Sequence, residues 1–419
     1  MNVVNTFYIF LLVFFFILAP RFQFGAIVHA GYMAVALLTI WTALKLPSAV
    51  FLHKRLAGII VFYLAFAVYS LTLSLLHNHD GTYFVSICIS AIVYNVFGWL
   101  VASHLLNSST NRSEILNQLL AMFVIVAVLN SSIILIEYFS PNVKDVIESI
   151  LLQVEDSNIN YADHPFRLRG LAGAGGAALS VFGGMMLIPL IFLVLNDKVG
   201  GGLSLFAALV ITCSNIFTGR TGLVLSIGLT FCLLAIVLIK NLQSGFVGFI
   251  RILVLLIFSV SVTALMINFT LDPAVEYWAF EWTRSLESSK VETDSTDAWL
   301  GMFFLPDNPI HLFLGVGFFE GTSHIYPRTD PGYLKTILSI GVPLSILFYG
   351  FIFFIFSRMI KVSSKYLWLV ITFWGVIMLL EIKEPFIYQN YVGRVILLLA
   401  GATMALRWDL DKRRPHLRS

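Results

Sequence analysis

The sequence predicts an all-α polytopic membrane protein. Of its 419 residues, 58% are hydrophobic and only 12% are charged, whereas about 25% of a typical soluble domain is charged. Apolar runs of about 20 residues recur along the whole chain, and one such run crosses the ~30 Å hydrocarbon core of a bilayer as a helix. We therefore expect residues 1–419 to form a single integral membrane domain.

Twelve apolar runs are candidate membrane spans. The first run has neither a basic segment before it nor a small-residue cleavage site after it, so we expect a retained helix rather than a signal peptide. The twelve predicted spans are about 4–20, 24–44, 56–76, 82–106, 115–139, 171–196, 202–218, 221–240, 248–270, 333–357, 366–382 and 389–406.

The distribution of charge predicts that both termini face the cytoplasm. With twelve spans and a cytoplasmic N-terminus, the inner segments carry 15 of the 26 basic residues but only 4 of the 23 acidic residues. Short cytoplasmic loops of membrane proteins are enriched in lysine and arginine, which favours this orientation. It places two long loops, about 140–170 and 271–332, on the outer, periplasmic side.

The first long outer loop contains an amphipathic pattern. Val143, Val146, Ile147 and Ile150 recur at helical spacing, and acidic residues lie between them. The pattern predicts a short helix that lies on the membrane surface or over a cavity.

The second long outer loop is polar and acidic, and it contains Trp278, Trp282 and Trp299. Long ordered loops are often lids or binding elements. These indole rings suit either stacking on sugar faces or anchoring at the membrane interface. The predicted cytoplasmic loops are short and the chain has no GxxxxGK[ST] motif, so we expect neither a nucleotide cofactor nor a nucleic-acid partner.

Arginine is the prevalent basic residue on the predicted outer side. Arg220, in FTGRTGL, lies between two closely joined spans, and a charge at membrane depth is normally kept for a partner or a function. Arg167 and Arg169 precede a glycine- and alanine-rich helix start, and alternate residues of an extended segment point the same way. These arginines are candidates for binding an anionic group. The alternatives are salt bridges, helix packing and interfacial anchoring.

Residues 311–343 concentrate polar side chains between apolar spans. Gly315 and Gly317 are expected to bend the chain back at the membrane surface. Asp330 precedes Pro331-Gly332 and is well placed to cap the following helix, which is the alternative to a catalytic role. The charged and titratable residues that fall within twelve positions here are His324, Arg328, Asp330 and Lys335.

The predicted outer hairpin between the last two spans holds three charges, Glu381, Lys383 and Glu384. Such a concentration at a short membrane hairpin indicates mutual pairing or function, and Glu384 is a candidate catalytic residue. His77-Asn78-His79-Asp80 does not match a zinc-ligand spacing, and the three cysteines all lie in apolar runs. No metal site is therefore expected.

Several segments between Arg167 and Glu384, about half of the chain, resemble the Wzy-type O-antigen and capsule polymerases and their relatives, the O-antigen ligases. GRTGL begins a span and is followed by a long outer loop. FFLPDNPIHLFLGVGFFEG and TDPGYLKTILSIGVPLSILFYG come next. The resemblance implies a multi-pass inner-membrane glycosyltransferase that needs neither metal nor nucleotide. Such an enzyme joins sugar units carried on undecaprenyl pyrophosphate at the periplasmic face.

The resemblance also assigns roles to residues. Arg220 matches the family arginine that opens a span, and Arg284 matches the arginine of the large loop. Arg220, Arg284 and Arg328 are expected to hold the pyrophosphate, assisted by Arg167 and Arg169. His324 or Asp330 is expected to orient or deprotonate the acceptor hydroxyl, and Glu384 is the third catalytic candidate. Partners are membrane lipids, the lipid-linked oligosaccharide and, in such systems, a chain-length regulator protein.

Two other functions compete with polymerisation. Ligases of this family often carry a His-Asn pair before the tenth span, where this chain has Thr329-Asp330-Pro331-Gly332, and this difference favours a polymerase. An O-antigen ligase, which transfers finished glycan to lipid A-core, is the first alternative. A transporter or flippase of lipid-linked sugars is the second, and it would carry charges through both leaflets, whereas the predicted spans here are nearly uncharged.

Overall fold

The computed structural model describes residues 3–23, 27–46, 54–108, 111–152, 167–242, 272–281, 299–320, 325–327 and 329–413. These residues form helices, two short 3₁₀ turns (Ser357–Lys361 and Ser364–Tyr366) and one small β-hairpin. The helices are α1 (Val3–Leu18), α2 (Ala30–Lys45), α3 (Lys54–Leu76), α4 (Thr82–Ser108), α5 (Arg112–Phe139), α6 (Pro141–Ile150), α7 (Gly176–Leu195), α8 (Gly201–Thr218), α9 (Arg220–Leu242), α10 (Pro273–Ala279), α11 (Pro309–Leu314), α12 (Gly332–Phe356), α13 (Leu367–Leu380) and α14 (Asn390–Arg413).

Eight of the described helices are long and apolar enough to cross a membrane, and three shorter apolar helices accompany them. Together they coincide with eleven of the twelve predicted spans. The remaining predicted span, 248–270, lies outside the described residues. The fold is therefore that of an all-α, multi-pass membrane protein, while the count of twelve and the orientation stay predictions.

The second predicted span begins later than expected. Strands β1 (Arg21–Gln23) and β2 (Ile27–His29) form an antiparallel pair in which Phe22 faces Val28. The sequence prediction extended the apolar run back to residue 24, but β-branched Ile27 and Val28 pair with β1 instead. Helix α2 then starts at Ala30, whose N–H donates to the Pro20 carbonyl at 3.0 Å.

The amphipathic helix predicted in the first long outer loop is confirmed as α6, which begins with Pro141 and has no buried residue. Proline suits this first helical position because its missing N–H would have no partner there. After the helix, Leu151 pairs with Phe22 of β1, and the Leu152 N–H donates to the Arg21 carbonyl at 2.7 Å. The end of α6 is thus fixed to the hairpin.

The chain divides into two compact units. The first comprises residues 1–12, 35–116 and 292–419, and the second comprises residues 13–34 and 117–291. The segment 271–332 is divided between them, since α10 belongs to the second unit and α11 to the first.

In the first unit, α12 is broken in its middle. Gly341 has a left-handed backbone with φ of 76°, and Pro343 follows two residues later. Proline has no N–H to donate to the carbonyl of Ser339, four residues earlier. The break therefore leaves carbonyls of the preceding turn without helical partners. The Val316 N–H donates to the Leu338 carbonyl at 2.7 Å, and the Gly317 N–H donates to the Ser339 carbonyl at 3.2 Å. The loop Gly315–Gly317 therefore supplies hydrogen-bond donors for carbonyls of α12. Carbonyls without a donor would be costly inside a membrane.

Glycine is required on both sides of this contact. A Cβ atom on Gly341 would lie 2.1 Å from the Phe313 carbonyl oxygen, and one on Gly315 would lie 2.5 Å from the Gly341 nitrogen. Gly315 and Gly317 also have positive φ angles of 81° and 73°. The segments Gly315–Gly317 and Gly341–Pro343 therefore pack directly against each other.

Replacing Gly341 by alanine is expected to destabilise the first unit strongly. A left-handed backbone costs an L-residue about 1–2 kcal/mol, and the overlap with the Phe313 oxygen adds to that cost. Gly350→Ala, in the same helix, is the matched control because nothing lies within 4 Å of its Cβ position. Thermal unfolding of the purified variants in detergent measures the difference. Equal melting temperatures for the two variants would contradict this account of the break.

Candidate functional site

Arg220 lies at the junction of α8 and α9 in the second unit. Gly219 ends α8, and Arg220 is the first residue of α9. Its guanidinium donates to a carboxylate oxygen of Glu281. The two side chains are 24% and 28% exposed, so the pair is partly shielded but still reachable by a ligand.

Trp278 brings a second arginine to the same place. The indole belongs to α10, which Pro273 begins and the Asp272 side chain caps by accepting from the Ala274 N–H at 2.8 Å. The Arg220 guanidinium carbon lies 5.5 Å from the centroid of the Trp278 ring system, and that of Arg167 lies 4.9 Å from it. Both distances are in the range of cation–π attraction. We call Arg167, Arg220, Trp278 and Glu281 the arginine–tryptophan cluster.

Backbone and aromatic contacts hold this cluster in place. The Leu168 N–H donates to the Phe217 carbonyl at 3.0 Å, which fixes the segment carrying Arg167 to the end of α8. Phe217 stacks on Tyr138 with ring centroids 4.1 Å apart. The Tyr138 hydroxyl accepts from the Asp272 N–H at 3.3 Å and so joins the start of α10 to α5. The two arginines and the tryptophan are therefore positioned before any ligand arrives.

Close helix packing explains the second glycine of the GRTG motif. A Cβ atom on Gly222 would lie 2.1 Å from the carbonyl carbon and oxygen of Ser180 in α7. The Gly222 N–H donates to the Ser180 hydroxyl at 3.3 Å, and the Asn215 side chain donates to the Gly222 carbonyl at 3.2 Å. Small residues permit this approach, and the approach fixes the first turn of α9, which carries Arg220.

Arg169 has different contacts from Arg167. It is buried, and its guanidinium donates to the carbonyls of Leu152 and Leu151 at 3.0 and 3.4 Å. The next residue, Gly170, donates its N–H to the Glu137 carboxylate at 3.0 Å. Arg169 therefore secures the end of α6, while Arg167 and Arg220 both lie over the Trp278 ring.

Lys335 and Glu320 form the corresponding charged pair of the first unit. Lys335 lies in the first turn of α12 with its side chain 8% exposed, and its Nζ is 3.7 Å from a Glu320 carboxylate oxygen. The same Nζ lies 5.6 Å from the centroid of the Phe319 ring. Lys335 belongs to the polar stretch that the sequence indicates, whereas no sequence pattern distinguishes Glu320.

The predicted capping role of Asp330 is wrong. Pro331 occupies the N-cap position of α12, and no side chain caps this helix. The Gly332 N–H donates instead to the Glu381 main-chain carbonyl at 2.9 Å. A backbone group from the hairpin before α14 thus replaces the expected carboxylate, while Asp330 itself is half-buried beside the helix start.

Glu381 is the carboxylate around which that hairpin is organised. It is fully buried and accepts from the Tyr349 hydroxyl at 2.8 Å and from the N–H groups of Phe386 and Ile387 at 2.7 and 3.0 Å. The Tyr349 hydroxyl also forms a hydrogen bond with the Thr336 hydroxyl, and their oxygens are 2.9 Å apart. Glu384, the catalytic candidate, is half-buried in the same hairpin. No sequence pattern distinguishes Glu381 from Glu384.

Three predicted site residues, Arg284, His324 and Arg328, lie outside the described residues. Their assignments remain predictions, as do the catalytic roles of Asp330 and Glu384. Trp278 and Glu281, in contrast, are three positions apart in the sequence, which is a helical spacing that could have linked them to one face.

Histidines gather around α11 in the first unit. The rings of His77 and His311 are 5.1 Å apart, and His311 Nδ1 lies 2.7 Å from the Tyr326 hydroxyl. Burial, together with the neighbouring His77, lowers the pKa of His311. Within the described ranges, no three or more His, Cys, Asp or Glu residues are arranged to hold a metal ion.

A cavity lies at the C-terminal ends of α7 and α9, away from the helix end that carries Arg220, and it does not resemble a substrate site. Its lining includes Asp197, Lys198 and Lys240. Lys240 is already paired, since its ammonium donates to the Val194 carbonyl at 2.8 Å and to Asp197 at 2.7 Å. It also lies at the end predicted to face the cytoplasm.

No family model, curated protein or solved structure matches this chain.

Proposed function

We propose that this chain is a glycosyltransferase of the inner membrane that polymerises oligosaccharide units carried on undecaprenyl pyrophosphate into O-antigen or a related surface polysaccharide. The observation that carries the proposal is the arginine–tryptophan cluster. Two guanidiniums share one ring, and one of them is balanced by a carboxylate. The order and spacing of the motifs from GRTGL to TDPGY give further support.

The chemistry of the leaving group suits this cluster. When a sugar hydroxyl attacks the anomeric carbon of the donor, the bond from that carbon to the phosphate oxygen breaks, and undecaprenyl pyrophosphate leaves with the electron pair. The proton of the attacking hydroxyl passes to a base, for which His324 and Asp330 are the predicted candidates. The group that develops negative charge needs positive charge close by more than it needs a proton. Each charge-assisted hydrogen bond from an arginine contributes roughly 1.5–3 kcal/mol.

Glu281 keeps the cluster stable in the absence of substrate. Two neighbouring guanidiniums repel each other, and the Trp278 ring and the Glu281 carboxylate offset that repulsion. The formal charge of the cluster is positive, so a pyrophosphate can compete with Glu281 for Arg220. Partial exposure of both members of the pair allows this exchange.

A glycolipid gel of a deletion strain tests the proposal. Loss of a polymerase leaves lipid A-core that carries one repeat unit, because single units are still made and transferred. Complementation with the wild-type chain is expected to restore the ladder of long glycans. Bare core together with polymer still on its lipid carrier would indicate the O-antigen ligase instead. An unchanged ladder would reject both and would favour a transporter or another glycan pathway.

A further inference from the structure

We propose that Glu320 and Lys335 form a binding site for the hydroxyl groups of an uncharged sugar, a site within the first unit. The inference rests on the proposed function, since it names a recognition element for the glycan rather than for its pyrophosphate. It is carried by the placement, the burial and the separation of these two side chains.

The backbone around Glu320 is rigidly placed. The segment from Val316 to Glu320 runs along the first half of α12, and its N–H groups at Val316 and Gly317 donate to the carbonyls of Leu338 and Ser339. The Ser339 hydroxyl donates to the Phe318 carbonyl at 3.0 Å. Phe318 and Phe319 are each only 1% exposed and anchor the segment. The backbone position of Glu320, which follows them, is therefore fixed.

The two charges are close but leave hydrogen-bonding capacity open. Their separation of 3.7 Å is longer than the 2.7–2.9 Å typical of a charge-assisted hydrogen bond. Lys335 is nearly buried at 8% exposure, whereas Glu320 is 28% exposed, so a ligand reaches the lysine past the glutamate. A buried ammonium is costly unless its donors are used, which favours a bound polar group beside it.

The charges of Glu320 and Lys335 cancel, which favours an uncharged ligand. The pair is formally neutral, and the carboxylate is the more exposed member, so it would repel a phosphate. A sugar hydroxyl both accepts and donates, so it can accept from the ammonium and donate to the carboxylate. The half-buried rings of Phe304 and Tyr326, stacked 5.8 Å apart, pack against the same core of Val316, Phe318, Leu334 and Leu338. Half-buried rings of this kind suit the apolar face of a sugar.

Binding of the free repeat-unit oligosaccharide, without lipid or phosphate, to the purified full chain in nanodiscs tests the inference. We expect Glu320→Gln to weaken this binding by about 10-fold or more, because a neutral amide replaces a charge-assisted acceptor. Asp145→Asn is the control, since Asp145 is an exposed carboxylate of α6 in the second unit. Arg220→Ala is expected to leave the binding of the free oligosaccharide unchanged and to weaken that of inorganic pyrophosphate.

A labelling measurement keeps the inference testable if a variant folds poorly. In the wild-type chain, the oligosaccharide is expected to protect Glu320 from a carbodiimide while Asp145 reacts at an unchanged rate. Undiminished labelling of Glu320 at saturating oligosaccharide, unchanged binding by Glu320→Gln, or protection by pyrophosphate instead would each overturn the inference. These measurements involve no glycosyl transfer. The glycolipid gel can therefore reject the proposed function while sugar binding at Glu320 is confirmed, and sugar binding can be rejected while the gel supports the proposed function.

Discussion

Arg220→Ala is expected to abolish long-chain polymer while the protein still inserts into the membrane. A guanidinium that holds a pyrophosphate through two charge-assisted hydrogen bonds contributes about 3–6 kcal/mol. At 1.4 kcal/mol per factor of ten, its loss lowers the rate of transfer by roughly 10²–10⁴. Arg220→Lys is expected to retain part of the activity, because an ammonium keeps the charge but not the planar fork. The glycolipid ladder of the complemented deletion strain measures both variants.

Two controls separate ligand binding from structural support. Glu281→Gln breaks the same ion pair but keeps the guanidinium, so it should retain most of the polymer if Arg220 acts on the substrate. Arg358→Ala removes another arginine that lies over an aromatic ring, 3.9 Å from the Phe354 centroid, in the first unit. A complete ladder from Arg220→Ala, or an equal loss from Glu281→Gln, would contradict the pyrophosphate role.

Gly222→Ala is expected to cause the second large loss. Its new methyl group would lie 2.1 Å from the Ser180 backbone, so α7 and α9 must separate. Overpacking of this kind typically costs about 1–3 kcal/mol. The displacement also moves the first turn of α9, which carries Arg220, and we therefore expect both the melting temperature and the polymer length to fall.

Gly228→Ala provides the matched control in the same helix. Nothing lies within 4 Å of its Cβ position, so alanine should be neutral or gain up to about 1 kcal/mol of helix propensity. The two variants are compared by thermal unfolding in detergent and by the glycolipid ladder. If they behave alike, the close approach of α7 and α9 is not what positions Arg220.

The membrane helices could be predicted because their signal is local. A run of about 20 apolar residues is recognised from its own composition, without knowledge of the rest of the chain. Eleven of the twelve predicted spans coincide with described helices. The start of α2 was misplaced because hydropathy does not separate an apolar strand from an apolar helix. Pairing of Ile27 and Val28 with β1 decides between the two.

The candidate site depended on contacts that are distant in sequence. Arg167 and Arg220 were grouped by residue type and predicted side, but only the fold shows that they share Trp278. Asp330 was expected to cap α12, yet the Glu381 carbonyl, 49 positions away from Gly332, accepts the helix's first N–H. The prediction treated 333–357 as one uninterrupted span, although Gly341 and Pro343 are residue types that break helices. The contact of this break with Gly315 and Gly317 could not be predicted, because no local sequence pattern shows which distant N–H groups bind the carbonyls that the break leaves without helical partners.

Polymerisation by the purified chain tests the central claim most directly. The chain in nanodiscs is supplied with the undecaprenyl-pyrophosphate-linked repeat unit of the organism that encodes it, and the masses of the products are measured by mass spectrometry. The proposed function predicts glycolipids that grow by one repeat unit at a time, with one undecaprenyl pyrophosphate released for each new bond. Substrate that remains a single repeat unit, with no release of carrier, would contradict it.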